Sequence, residues 1–104
     1  MAITVYGQDD CSYCEETRKY YERQGIPAEY VNLSNPTNAK VLEKLREEGY
    51  SSTPIVRTQN QTWQGKRPDL LVQSAMEYRR EEQQRQQLQE QQLAQQAAQQ
   101  RTTH

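Results

Sequence analysis

A chain of 104 residues is the length of one small domain with a tail, and its formal net charge of −1 comes without the basic stripe that neutralises phosphates, so no nucleic acid is expected as a partner. The opening Met1 to Tyr6 carries neither a basic leader nor a long apolar run, so neither a secretory signal nor a membrane span is expected, and the default compartment is the cytoplasm. Of the apolar and aromatic residues, 29 fall in positions 1–80 and 5 in positions 81–104, which assigns the core to the first eighty residues.

In chain order, Ile3 and Val5 alternate with polar or small neighbours, a period of two that predicts a first strand broken by Gly7. From Ser12 onward Tyr13, Thr17, Tyr20, Tyr21 and Gln24 recur at helical spacing. Glu15 and Glu16 stand in the first turn, where the helix dipole favours acids, and Arg23 and Gly25 mark the end. Tyr30, Val31 and Leu33 in "AEYVNL" predict a second strand, and "SNPTN" a turn capping a second helix. That helix carries Val41, Leu42 and Leu45 on one side and stops at Gly49. "TPIVRT" and "TWQG", on either side of Gln59-Asn60-Gln61, predict a hairpin with Pro54 at the first position of its strand. A third helix starts near Pro68 and is expected to bury Leu70, Leu71, Ala75 and Tyr78. The fold class is α/β, with the first two strands parallel through a crossover and the last two antiparallel.

Residues 83–100 contain eleven glutamines, and between Glu77 and His104 four arginines balance four glutamates. The chain therefore divides into a domain over 1–80 and a glutamine-rich tail over 81–104. Such a composition can prolong the third helix, yet Leu88, Leu93 and Ala97 hold no heptad. A frayed helix, disorder and a partner-binding helix all stay open.

Cys11 and Cys14 are the only cysteines. At a strand-to-helix turn this spacing puts both sulfurs at one end of one helix. The unpaired amides and positive dipole end there stabilise a thiolate, the species that attacks a disulfide. Cys11, the outer sulfur, is the expected nucleophile, and Cys14, shielded inside the helix, would attack the Cys11 sulfur to release the reduced substrate. Asp9 and Asp10 oppose ionisation and nearly offset the dipole, so the Cys11 thiol is expected to be only moderately acidified, toward ambient pH. Other readings of the pair are weaker. Zinc needs four ligands and only His104 could supplement the thiolates, a structural bridge would close too small a loop in a reducing compartment, and an inert pair needs no further support.

Three stretches, "ITVYGQDDCSYC", "TPIV" and "WQGKRPDLL" from Trp63 to Leu71, resemble the glutaredoxin-like NrdH redoxins over about residues 2–80. The resemblance implies a thioredoxin fold, a central four-stranded mixed sheet flanked by three helices, here with a glutamine-rich C-terminal extension. It implies that Cys11 and Cys14 cycle between dithiol and disulfide and that Ser12, Tyr13, Thr53 and Pro54 meet the substrate. Pro54 would follow a cis bond that frees the Thr53 backbone to pair with an extended chain. Trp63, Gly65, Arg67, Pro68 and Asp69 would form the family's segment beside the site. The family's members donate electrons to ribonucleotide reductase and are recharged by thioredoxin reductase at the expense of NADPH rather than by glutathione. No metal and no tightly bound cofactor is implied, and a monomer in the cytoplasm of a bacterium, or of the host of a bacterial virus, is expected. Ser12-Tyr13 is nearer to the Pro-Tyr of glutaredoxins than to the Gln-bearing pair usual in NrdH redoxins. Lys66 stands for the usual Phe, and Gln8 for a basic residue. Glutathione therefore stays open as an alternative reductant, with Lys66 and Arg67 as candidate carboxylate partners. A non-catalytic adaptor that binds partners through its tail is the rival of another class.

Overall fold

The computed structural model describes residues 1–102; His104, weighed above as a metal ligand, lies outside them. The elements are β1 (Thr4–Gly7), α1 (Ser12–Arg23), β2 (Glu29–Asn32), a 3-10 turn (Pro36–Asn38), α2 (Ala39–Glu47), β3 (Ile55–Arg57), β4 (Thr62–Gln64) and α3 (Pro68–Thr102). The strands order as β2-β1-β3-β4, with β1 and β2 parallel and the β1–β3 and β3–β4 pairs antiparallel. The four-stranded mixed sheet with three helices expected of a thioredoxin fold is thus present.

Because side chains alternate across a strand, the sheet sorts its apolar residues into two cores. Val5, Val56 and Trp63 pair across β1, β3 and β4 and share one face with Ile3, Tyr21, Ile26 and Ala75, beneath α1 and α3. Tyr6 and Ile55, one residue out of phase, turn to the other face, where Leu33 and Leu45 complete a smaller cluster with Val31, Leu42 and Tyr50. The helix ends explain the chain reversals. Gly25 and Gly49 adopt φ of 69° and 99°, and beyond them Ile26 N–H bonds Tyr21 O at 2.9 Å and Tyr50 N–H bonds Leu45 O at 3.0 Å. Left-handed backbone at this position favours glycine, and each following residue plugs into the core it has just capped.

Three local expectations are corrected. Pro54 precedes β3 instead of opening it. Val41 is 36% exposed, because the nine-residue α2 touches the sheet along the narrow line of Leu42 and Leu45, with Val41 at its edge. Leu70, Leu71 and Tyr78 are only half-buried, and the deepest residue of α3 beside Ala75 is Ser74, with no exposed surface. Ser74 Oγ donates to Leu71 O at 2.7 Å, which leaves its lone pairs to accept from the Tyr21 hydroxyl at 2.8 Å. Burial pushes the Tyr21 phenol up to about 12, against a smaller opposite effect of the Ser74 bond.

α3 continues unbroken through the glutamine-rich segment, and every residue from 83 to 98 is exposed, Leu88 and Leu93 included. Among the described residues no helix is long and apolar enough to cross a membrane.

Candidate active site

Cys11 is the N-cap of α1. Its backbone is extended (φ −115°, ψ 102°), and its sulfur does what a Ser or Asp oxygen does at most N-caps, accepting the Cys14 N–H at 3.2 Å. The two cysteines are joined as a disulfide with their Cα atoms 5.3 Å apart. Cys14 turns inward with Thr17 and Tyr21 and has no exposed surface, while Cys11 is half-buried at the mouth of the helix. The Cys14 N–H thus faces the Cys11 sulfur at the start of a helix, and an amide and a positive dipole end so placed are of the kind that favours a thiolate over a thiol.

Two loops hold that sulfur in place. The first leaves β1 at Gly7, where an added Cβ would lie 2.6 Å from Tyr30 Cζ, so only glycine lets the ring cover the strand end. Asp9 N–H then donates to Ser34 Oγ at 2.9 Å, Asn32 Nδ2 to Asp9 Oδ1 at 3.0 Å, and Ser34 N–H to Asn32 Oδ1 at 3.0 Å. These bonds tie the loop to the end of β2, and Asp10 follows in the left-handed region at φ 56°. The second loop brings the Thr53 hydroxyl to 3.6 Å from Cys11 Sγ, and the Thr53–Pro54 bond is cis. Gln64 Oε1 accepts from Ser51 and Ser52 N–H at 3.0 and 3.1 Å, and Gly65 N–H bonds Pro54 O at 2.8 Å. The clamps at Asn32, Ser34 and Gln64 are missed by sequence reasoning. Their only trace is an Asn or Ser where β2 stops and a Gln where β4 gives way to a Gly turn, a pattern shared by ordinary loops.

The structure brings Cys11, Cys14, Ser12, Tyr13 and Thr53 together, with Pro54 next in the chain. Ser12 and Tyr13 are exposed, and Lys66 Nζ lies 5.1 Å from the Tyr13 ring centroid and 3.6 Å from Glu16. Trp63 is instead packed in the larger core, 5% exposed. Gly65 makes the turn after β4 at φ 81°, and Pro68 opens α3. Arg67 bonds Asp69 through Nε at 3.2 Å and through a terminal nitrogen at 3.1 Å, and this pairing holds the Asp69 carboxyl below its usual range. Two shallow clefts meet at Cys11, one lined also by Asp9, Glu15, Tyr30 and Asn32, the other by Ser51, Ser52 and Thr53, and neither by a Lys or Arg. Glu15 is lowered by its hydrogen bond to Arg18. Among the described residues no group of three or more His, Cys, Asp or Glu is placed to hold a metal ion.

Residues 3–63 match the glutaredoxin family model. The chain belongs to the glutaredoxin family. Within it the resemblance is to NrdH redoxins. The chain is 34% identical over 71 residues to glutaredoxin-like protein NrdH of Escherichia coli (strain K12), a match spanning 68% of this chain and 85% of that protein. It is 25% identical to the NrdH of Lactococcus lactis subsp. lactis (strain IL1403), spanning 70% and 99%. Among solved structures, the NrdH-redoxin from Escherichia coli superposes with a TM-score of 0.65 at 32% identity, over 70% of this chain and 93% of that one. The glutaredoxin from Archaeoglobus fulgidus gives 0.60 at 26%, over 70% and 85%. This redoxin is a thiol-disulfide oxidoreductase with Cys11 and Cys14 as its redox pair.

Proposed function

We propose that this redoxin carries electrons from thioredoxin reductase, which draws them from NADPH, to a disulfide of ribonucleotide reductase in a reducing cytoplasm, and that glutathione has no part in the cycle. The NrdH name of its relatives supports the acceptor, and the thioredoxin-like activity profile stated for the Escherichia coli NrdH-redoxin supports the reductant. The observation that carries the choice is the lining of the clefts at Cys11. Glutathione presents two carboxylates, whose recognition calls for cations, and these clefts offer acids, hydroxyls and amides instead. Lys66 and Arg67, the candidate cations, are engaged by Glu16 and Asp69.

The cycle balances within two cysteines. The Cys11 thiolate attacks one sulfur of the substrate disulfide, that S–S bond breaks, and the departing sulfur takes a proton from solvent. Thr53 and the Cys14 N–H face the attacking sulfur, and the substrate chain lies along Thr53, flanked by Ser12, Tyr13 and Pro54. Cys14 then gives up its proton and attacks Cys11 Sγ, expelling the second substrate sulfur, which is protonated in turn. Two electrons and two protons pass to the substrate, and the protein is left as the disulfide. The reductase reverses this, so NADPH acts only through it and nothing is bound between turnovers.

Following reduction of a protein disulfide with NADPH and thioredoxin reductase, against NADPH with glutathione and glutathione reductase, tests the assignment. Turnover is expected in the first mixture alone. Turnover in the second alone would make the protein a glutathione-dependent glutaredoxin, and turnover in neither, with titratable thiols intact, would leave a non-catalytic adaptor.

A further inference from the structure

The two clefts at Cys11 differ in charge. Toward β2 the wall carries Asp9, Asp10 and Glu15, whereas toward Thr53 the hydroxyls of Ser51, Ser52 and Thr53 are joined by Asp10 alone among the acids, so Asp10 stands on the rim between the two. The acids are not equivalent. Glu15 is answered by Arg18 at 2.7 Å, and Glu16, further along α1, by Lys66 at 3.6 Å. Asp9 receives only the amide of Asn32, and neither Asp9 nor Asp10 makes an ion pair among the described residues. Two uncompensated negative charges therefore sit on the two residues before the attacking sulfur, and Asn32 and Ser34 fix the first of them there. Charges so placed work against the Cys11 thiolate. A partner that brings cations to this wall removes that opposition at the moment of docking, and its disulfide is then met by a more ionised sulfur.

We infer that the disulfide reduced by this protein is presented on a cationic polypeptide segment, with Lys or Arg on the flank that crosses Asp9 and Asp10. The ligand of the cleft is the disulfide attacked by Cys11, so the two acids are specificity elements of an existing site. This substrate class presupposes that Cys11 is the attacking sulfur, as proposed above, and is independent of which reductase recharges the protein.

The test uses full-length protein reduced beforehand and a single turnover, so that no reductase takes part. Three peptides share one intramolecular disulfide and differ in a flanking pair, Lys-Lys, Gln-Gln or Glu-Glu. Each rate is divided by that of neutral dithiothreitol on the same peptide, which cancels the peptides' own reactivity. The Lys peptide is expected to react on the order of tenfold faster than the Glu peptide at low salt and about threefold or less at physiological salt. Asp9→Asn keeps an oxygen for Asn32, and Asn tolerates the left-handed backbone of residue 10, so the Asp9→Asn, Asp10→Asn double variant should bring the ratio close to one. The ratio compares peptides on one protein, so a change that the substitutions make in the resting ionisation of Cys11 cancels, and only what differs between the docked peptides is read. Equal rates for the three peptides, a preference for the Glu peptide, or a ratio that survives both substitutions would overturn the charge preference alone. Should the double variant not fold, Asp10→Asn and the salt series on the unsubstituted protein decide in the same terms. Failure to reduce even the neutral peptide would overturn the attack by Cys11 and this substrate class with it.

Discussion

α1 and α3 are both helices whose first turns lie beside the sheet, and they spend their residues differently. In the twelve residues of α1, Cys14, Thr17 and Tyr21 form a buried stripe, and the N-terminal end is stitched to two loops, so the sulfur at its cap has one position. In the thirty-five residues of α3, burial fades after Tyr78, and from 83 to 98 no side chain is covered. Helical propensity suffices for the second case, since Gln, Ala, Leu, Glu and Arg are good formers and i,i+4 pairs such as Arg85 with Glu81 help. Precision at a reacting atom needs the first. A helix end becomes a chemical device when tertiary contacts fix what its unpaired amides point at.

The largest effect should come from the capped sulfur. Cys11→Ser is expected to lower disulfide turnover by at least about a thousandfold, because the hydroxyl does not supply a thiolate. Cys14→Ser should complete the first attack and stop, so that the mixed disulfide with the substrate accumulates and is seen by intact-mass spectrometry. Equal, complete turnover by both variants would remove the distinction between an outer and an inner sulfur.

A smaller contrast separates the packed from the bare part of the molecule. Leu45→Ala, in the core beneath α2, should cost about 2–5 kcal/mol in urea unfolding, while Leu93→Ala should stay within about 0.5 kcal/mol. Ending the chain after residue 82 should likewise leave the midpoint and the turnover within error. A comparable loss from Leu93→Ala would mean that the far half of α3 is covered in solution, and the contrast between the two helices would fall.

The smallest effect probes the place where they meet. Burial of Tyr21 against Ser74 raises the phenol from 10.0 to about 12, so the folded protein keeps a proton that the unfolded chain releases. Its stabilisation is fully present below pH 10 and is lost as pH climbs through about 12, a fall of order 2–3 kcal/mol. Tyr21→Phe should give up about 1 kcal/mol at neutral pH with the hydrogen bond, and it should show a flatter decline over the alkaline range. An alkaline limb as steep in the variant would place the responsible group elsewhere.

Much of the fold is written locally. The alternation of Ile3 and Val5, the recurrence of Thr17 and Tyr21, and Gly25 and Gly49 at the helix ends all act within a few residues, and the structure keeps each of them, while Gln24 ends the series as the exposed C-cap of α1. Tyr13 shows where periodicity stops short: it shares the helical spacing and yet stands 48% exposed beside the reactive sulfur, because what covers a helix face is decided by other elements.

The amino-acid sequence by itself determined the order of strands and helices, the position of the cysteine pair at a helix start and the charges beside it, since these depend on neighbours along the chain. Only the tertiary structure decided that Asn32, Ser34 and Gln64 would clamp the two loops at the site and that Thr53 would face Cys11. It also withdrew Trp63 into the core and, among the described residues, left Asp9 and Asp10 without an ion-pair partner. Such contacts join residues tens of positions apart, and they exist because the sheet and its two cores bring those positions together with an energy that no local preference supplies.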